Sequence, residues 1–283
     1  MKMSSMNLSL KQHRFKMIDV LINNHWTKMT QEELQIGSKY FAFESGLYET
    51  MRTMNYKLVF LEPHLERLFS TAQKINLKIH HSLEEITEML EKVINNFPDP
   101  NQRIRILSVP DKFIIYTSPL NLNPIIYDGV NALTVEAQRD TPEVKTTNYQ
   151  VCLSALNKAI EANSFDAILC DKEGNIYEGS KSNIFWIKKG KLNTREKDVL
   201  PGTIRRTIIE KSQISVHYGI LNKKDLLNID ELLCTNSGSG IVPITKVNEA
   251  SIGNKLVGPI SRGLMINYTN WLEEEYDKTI NKT

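Results

Sequence analysis

Long apolar runs, paired cysteines and an excess of one charge are all missing from this chain of 283 residues. No stretch of about 18 apolar residues occurs, so no transmembrane helix is expected. The three cysteines, Cys152, Cys170 and Cys234, are odd in number and far apart. They support neither a disulfide framework nor a zinc site. All three sit in largely apolar stretches and read as buried free thiols, which points to a reducing, cytoplasmic setting. The net charge is only +2, and the basic residues are scattered. Neither nucleic acid nor a membrane surface is therefore an expected partner. Residues 1–17 carry Lys2, Lys11, Arg14 and Lys16 with no apolar core between them. They read as an N-terminal extension, not as a secretory signal.

What is present is ordinary for a globular protein: 41% apolar and 24% charged residues. The length suffices for one large domain or two medium ones. Residues 43–53 and the run Lys57-Leu58-Val59-Phe60-Leu61 read as a hairpin turning at residues 54–56. A helix follows Pro63, with Leu65, Leu68, Phe69, Ala72 and Ile75 at helical spacing. A second helix starts at Ser82, where Glu85 completes a capping box. Residues 103–107 and 112–117 read as paired strands. Residues 118–129 hold two prolines and read as a link. The expected division is an N-terminal α/β domain over 18–120, a linker over 121–130 and a C-terminal domain over 131–283. In the second half, strands are expected at 132–137, 166–170, 175–177, 183–187 and 231–235. Helices are expected at 153–162, from Pro201 to about 212, and at 258–275. Without a strict βαβ repeat, the fold class is α+β.

Four features could carry chemistry. Lys145, in Val144-Lys145-Thr146-Thr147-Asn148-Tyr149, could react as a free amine if desolvation lowered its pKa. Alone it reads more readily as one of many exposed lysines. Glu178 precedes Gly179 and Ser180 at a strand end. Such a carboxylate can hold a pyridine nitrogen protonated, or can simply be exposed. Leu200-Pro201-Gly202-Thr203-Ile204-Arg205 opens a helix whose free N–H groups suit phosphate, or is a plain helix start. Asn236-Ser237-Gly238-Ser239-Gly240 allows close backbone approach to an anion, but matches neither a dinucleotide fingerprint nor a P-loop.

Taken in order, these motifs resemble the class IV aminotransferase family, enzymes of fold type IV that use pyridoxal 5'-phosphate. The resemblance spans about residues 20–272. It also draws on Tyr48-Glu49-Thr50-Met51-Arg52, on Glu62-Pro63-His64-Leu65-Glu66-Arg67-Leu68 and on Val242-Pro243. It implies that Lys145 binds the cofactor covalently and shuttles a proton, and that Glu178 pairs with the ring nitrogen. It implies that Tyr149 lies near the ring oxygen and Leu200 against the ring. Arg67, the backbone of Thr203 and Ile204, and Ser237 would hold the phosphate. Residues 131–283 would be the cofactor domain. Phe43, Arg52 and Arg105 match positions lining the substrate pocket. Family members are usually homodimers, and a homodimer is expected here.

Departures bear on the substrate. Phe43-Glu44-Ser45-Gly46 replaces the family's aromatic-Gly-Asp-Gly. The turn Ser108-Val109-Pro110-Asp111-Lys112 lacks the carboxylate-binding Arg of D-amino acid aminotransferases, which weighs against that specificity. The expected activity is amino transfer between a branched-chain-like amino acid and a 2-oxo acid. The alternatives are an aminodeoxychorismate lyase releasing 4-aminobenzoate and pyruvate, and a non-catalytic binding protein on the same scaffold.

Overall fold

The computed structural model describes residues 17–37 and 46–281. Its first half rests on strand alternation. Strands β1 (Met17–Ile22), β2 (His25–Thr30), β3 (Leu47–Met54), β4 (Lys57–Val59), β5 (Gln102–Val109) and β6 (Lys112–Pro119) form one antiparallel sheet. Their order is β2-β1-β6-β5-β3-β4. Helices α1 (Leu61–Lys74) and α2 (Leu83–Asn95) lie between β4 and β5 in the chain. Leu47 and Met51 of β3, with Ile104 and Ile106 of β5, pack against Leu65 and Leu68 of α1 and Ile86 and Leu90 of α2. The two-residue period sends Tyr48 and Leu107 to the other face, with Val20 and Tyr116. That second face meets the site described below.

Local signals explain the joints. Ser82 Oγ accepts from the Glu85 N–H (3.2 Å), and the Glu85 carboxylate accepts from the Ser82 N–H (2.8 Å). This is the expected capping box, worth about 1 kcal/mol. Asn55 and Tyr56 take left-handed φ values of 51° and 63° to close the β3–β4 hairpin. Strand β4 ends two residues earlier than expected, because Phe60 turns left-handed (φ 57°) and Leu61 already opens α1.

A 3-10 turn at Pro124–Asp128 leads into the second sheet. It comprises β7 (Val130–Glu136), β8 (Asp166–Cys170), β9 (Asn175–Gly179), β10 (Asn183–Lys188), β11 (Lys191–Thr194), β12 (Val216–Tyr218), β13 (Leu221–Asn222), β14 (Glu231–Asn236), β15 (Gly240–Val247) and β16 (Ala250–Ser251). The sheet is mixed, with β7 parallel to both β8 and β15. Helices α3 (Gln150–Glu161), α4 (Thr203–Lys211) and α5 (Pro259–Asn281) accompany it. The architecture is α+β, as the pattern predicts. The three cysteines are free and buried. Among the described residues, no helix is long and apolar enough to cross a membrane.

Helix α5 also ties the halves together. Its Leu264, Tyr268 and Trp271 join Val59 and Phe60 in one core with Phe185 and Ile241. Thr279 Oγ1 donates to the Leu58 carbonyl (3.3 Å), so α5 covers the β4 edge that would otherwise invite pairing. Strands β1, β2, β11, β12, β13, β15 and β16 are absent from the sequence expectation. Strand β2 is largely exposed and held by pairing to β1, so it carries no buried stripe. Pro243 interrupts the β15 run and hides that strand from a propensity reading.

Gly240 starts β15 at φ 72°, and a Cβ there would lie 2.2 Å from Tyr268 Cε1. Gly190 has the same φ of 72° with nothing within 4 Å. Gly190→Ala should therefore cost only the backbone strain, about 1–2 kcal/mol. Gly240→Ala should cost about 2–5 kcal/mol once overpacking is added. Urea denaturation of the two variants checks the difference.

Candidate active site

The loop between β7 and α3 carries Lys145, and backbone contacts fix it on the start of β3. The Tyr48 N–H donates to the Lys145 carbonyl (3.1 Å), and the Thr147 N–H donates to the Gly46 carbonyl (2.9 Å). Gly46 is needed for this approach, since a Cβ there would meet Val109 Cγ1 at 2.7 Å. The half-buried Lys145 side chain enters a cavity of about 820 Å³ lined by residues of both sheets. Its Nζ stands 4.4 Å from the centre of the Tyr48 ring. Burial, reinforced by the Arg67 guanidinium, lowers its pKa to about 7. Near neutral pH, a large share of Lys145 is then the free, nucleophilic amine.

Glu178, near the end of β9, lines the same cavity and is buried. Burial pushes its carboxyl up, and Arg139 opposes that. Arg139 Nη1 donates to Glu178 Oε1 (3.1 Å), and the Leu200 N–H donates to Oε2 (2.9 Å). Arg139 is itself held by the carbonyls of Pro142 (2.8 Å) and Val144. Tyr149 also lines the cavity, edge-on to Tyr48 at 5.9 Å between ring centres. Its hydroxyl donates to the Ser180 carbonyl (2.6 Å), so towards the cavity it offers oxygen lone pairs.

Three anion-binding features meet elsewhere on the wall. Arg67 comes from α1 and donates through Nη1 to the Pro201 carbonyl (3.0 Å). Helix α4 begins at Thr203, and Gly202, Thr203 and Ile204 all line the cavity. First-turn N–H groups have no intrahelical acceptor and carry the positive end of the helix dipole. Gly202 permits this packing, since a Cβ there would sit 2.0 Å from Asn183 Oδ1. Ser237 lies in the β14–β15 turn, also on the cavity. The buried Thr235 hydroxyl, on the same wall, has no partner among the described residues. A guanidinium, a helix start, a hydroxyl and an orphaned buried hydroxyl suit a phosphorylated ligand. A softened lysine amine and a buried carboxylate suit an aldehyde-bearing pyridine ring. The residues present fit pyridoxal phosphate.

Of the expected site residues, Arg67, Arg105, Lys145, Tyr149, Glu178, Leu200, Thr203, Ile204 and Ser237 share this one cavity. Phe43 falls outside the described residues. Arg52 is a correction: it does not line the cavity. It stands one alternation beyond Thr50 on β3, and its Nη1 reaches instead to the Gly238 carbonyl (3.5 Å). Arg103 takes a place on the wall that the sequence reading missed. The alternation Arg103-Ile104-Arg105 was the available signal, because it puts both guanidiniums on the sheet face away from α1 and α2. Arg139 carried no local signal. Glu49 and His64 were also missed, although the alternation of β3 places Glu49 in the apolar row of Leu47 and Met51.

The lowered pKa makes a testable claim. An ordinary lysine becomes a free amine only near pH 10. Adduct formation between the apoprotein and pyridoxal, followed by visible absorbance, should rise with pH and reach half its plateau rate near pH 7.

Comparison with known proteins agrees with this geometry. Residues 46–247 match the family model for amino-transferase class IV. A D-alanine aminotransferase of Listeria monocytogenes is 31% identical over 270 residues, covering 87% of this chain and 93% of that protein. A protein of Thermotoga maritima named as a probable branched-chain-amino-acid aminotransferase is 29% identical over 259 residues, covering 86% and 93%. Among solved structures, the branched-chain aminotransferase of the archaeon Thermoproteus uzoniensis, with norvaline, superposes with a TM-score of 0.79. It has 22% identity, over 94% of this chain and 98% of that one. A Legionella pneumophila protein described as a 4-amino-4-deoxychorismate lyase has a TM-score of 0.72 and 22% identity, over 81% and 91%. At such identities the structural likeness speaks for the fold. With its match to the family model and to curated relatives, the chain belongs to the class IV aminotransferases, enzymes that use pyridoxal phosphate and act on amino acids and 2-oxo acids.

Proposed function

We propose that this chain moves an amino group between an amino acid and a 2-oxo acid, using pyridoxal phosphate held by Lys145. One observation carries the reading: a lysine amine with its pKa lowered to about 7 shares a cavity with a buried, Arg-paired carboxylate and three anion donors. When bound, the cofactor supplies a reactive carbonyl carbon and a ring that accepts electrons from the substrate. Lys145 Nζ would hold that carbon. As a free amine Lys145 would take the proton from the substrate Cα and deliver it to the cofactor carbon that bears the amino nitrogen. Glu178 would offer the ring nitrogen a negative charge, which Arg139 and the Leu200 N–H maintain. Arg67, the first turn of α4 and Ser237 would hold the phosphate. Leu200 would pack on the ring and Tyr149 would border it.

Substrate recognition falls to the sheet face bearing Arg103 and Arg105. These residues stand two apart on β5, both on the cavity. Two neighbouring guanidiniums there suit the carboxylate that every amino acid and 2-oxo acid carries. The names of the relatives put forward D-alanine and branched-chain amino acids as donors. The missing Arg in the turn at residues 108–112 favours the branched-chain reading.

The test offers leucine, valine and D-alanine with 2-oxoglutarate, and 4-amino-4-deoxychorismate separately. Wild-type protein should form glutamate from a branched-chain donor, and Lys145→Ala should lower the rate by roughly 100-fold or more. Pyruvate release from 4-amino-4-deoxychorismate without glutamate formation would overturn the reading in favour of the lyase. Equal rates for Lys145→Ala and wild type would overturn the role of Lys145.

A further inference from the structure

Behind the phosphate-gripping residues lies a buried network that the proposed mechanism does not use. Glu49 is 1% exposed, on the side of β3 that faces α1. Its carboxylate receives Arg67 Nε at Oε1 (2.7 Å) and Arg67 Nη2 at Oε2 (2.6 Å). His64 Nδ1 lies 2.8 Å from the same Oε2. His64 and Arg67 stand three residues apart on α1 and so share one helix face. Burial pushes the Glu49 carboxyl up, but Arg67 and His64 outweigh it and hold it well below the usual carboxylate range. Glu49 is thus an anion committed to two partners.

The geometry also fixes a tautomer. A carboxylate oxygen at 2.8 Å requires a proton on His64 Nδ1. In the neutral ring, which burial favours, Nε2 is then an acceptor. Ser237 Oγ lies 3.2 Å from Nε2 and donates to it. That bond crosses from α1 to the turn of the second sheet, as the Arg67 bond to the Pro201 carbonyl does.

We propose that Glu49 and His64 are positioning residues for the cofactor's phosphate. Glu49 acts through Arg67, by locking its guanidinium in one plane. His64 acts through Ser237: a bound phosphate takes the single Ser237 proton, and His64, gaining a proton on Nε2, then donates to Oγ and holds its rotamer. Neither touches the phosphate. Arg67 has five N–H donors, and Glu49 and Pro201 take three. One N–H remains on each terminal nitrogen; Nη2 also lies 3.4 Å from His64 Nδ1, which already carries a proton and cannot accept from it. The inference rests on the cofactor reading above and extends it to residues outside the cavity wall.

The experiment measures binding of pyridoxamine 5'-phosphate and of pyridoxamine to the full-length apoprotein, by calorimetry. Neither compound can bond covalently to Lys145, so the ratio of the two affinities reports phosphate recognition alone. His64→Asn keeps a donor near Glu49 and removes the link to Ser237. Glu49→Gln releases Arg67. Each should weaken pyridoxamine 5'-phosphate by roughly 10- to 100-fold and leave pyridoxamine unchanged. His64→Asn combined with Ser237→Ala should weaken it no more than Ser237→Ala alone, because His64 acts through Ser237. If Glu49→Gln does not fold, the His64→Asn arm decides. An unchanged affinity ratio in His64→Asn, or additive losses in the double variant, would overturn this inference alone. A wild-type protein that does not distinguish the two compounds would overturn the cofactor reading as well.

Discussion

A carboxylate sealed between a sheet and a helix is costly unless charged donors surround it. Glu49 meets that condition with two bonds from Arg67 and one from His64, and the arrangement of the cavity follows from it. Arg67 cannot turn away, so its free edge addresses the start of α4 through the Pro201 carbonyl. His64 cannot turn away either, so it meets Ser237 across the gap between the two halves. The apolar core containing Val59, Phe60, Tyr268 and Trp271 supplies bulk adhesion between those halves. The Glu49 network supplies their alignment at the site. Removing one partner would leave a buried charge alone, so the network is better understood as a device for geometry than as a source of net stability.

The two residues given the central roles respond to burial in opposite ways. Lys145 loses affinity for its proton, while the Glu178 carboxyl is pushed up and Arg139 restrains it. The outcome is a free amine and a guarded carboxylate in one cavity at neutral pH, each set by its surroundings. The loop carrying Lys145 owes its place to backbone bonds with Tyr48 and Gly46. The proposed covalent role of the side chain would thereby be anchored by atoms that do not move with it.

Much of this was legible where chemistry and period coincide. Ser82 and Glu85 announced the start of α2, and helical spacing announced α1 and α2. The motifs around Lys145, Glu178, Leu200 and Ser237 converge on one cavity, as their order implied. What escaped depended on partners distant in the chain. Strand β2 has no stripe of its own, and Pro243 disguises β15. Arg139 becomes meaningful only when β9 brings Glu178 beside it, 39 residues away. The family resemblance implies a pocket place for Arg52, by matched position alone. Thr50 lines the cavity, whereas Arg52, the next residue on that face, reaches the Gly238 carbonyl.

The account turns on Lys145 as the covalent anchor of the cofactor. The most direct measurement is borohydride reduction of the pyridoxal phosphate-loaded protein, followed by proteolysis and mass mapping of the modified peptide. The account predicts one stable adduct, on Lys145, in the segment between β7 and α3. An adduct on any other lysine, or none at saturating cofactor, would contradict it.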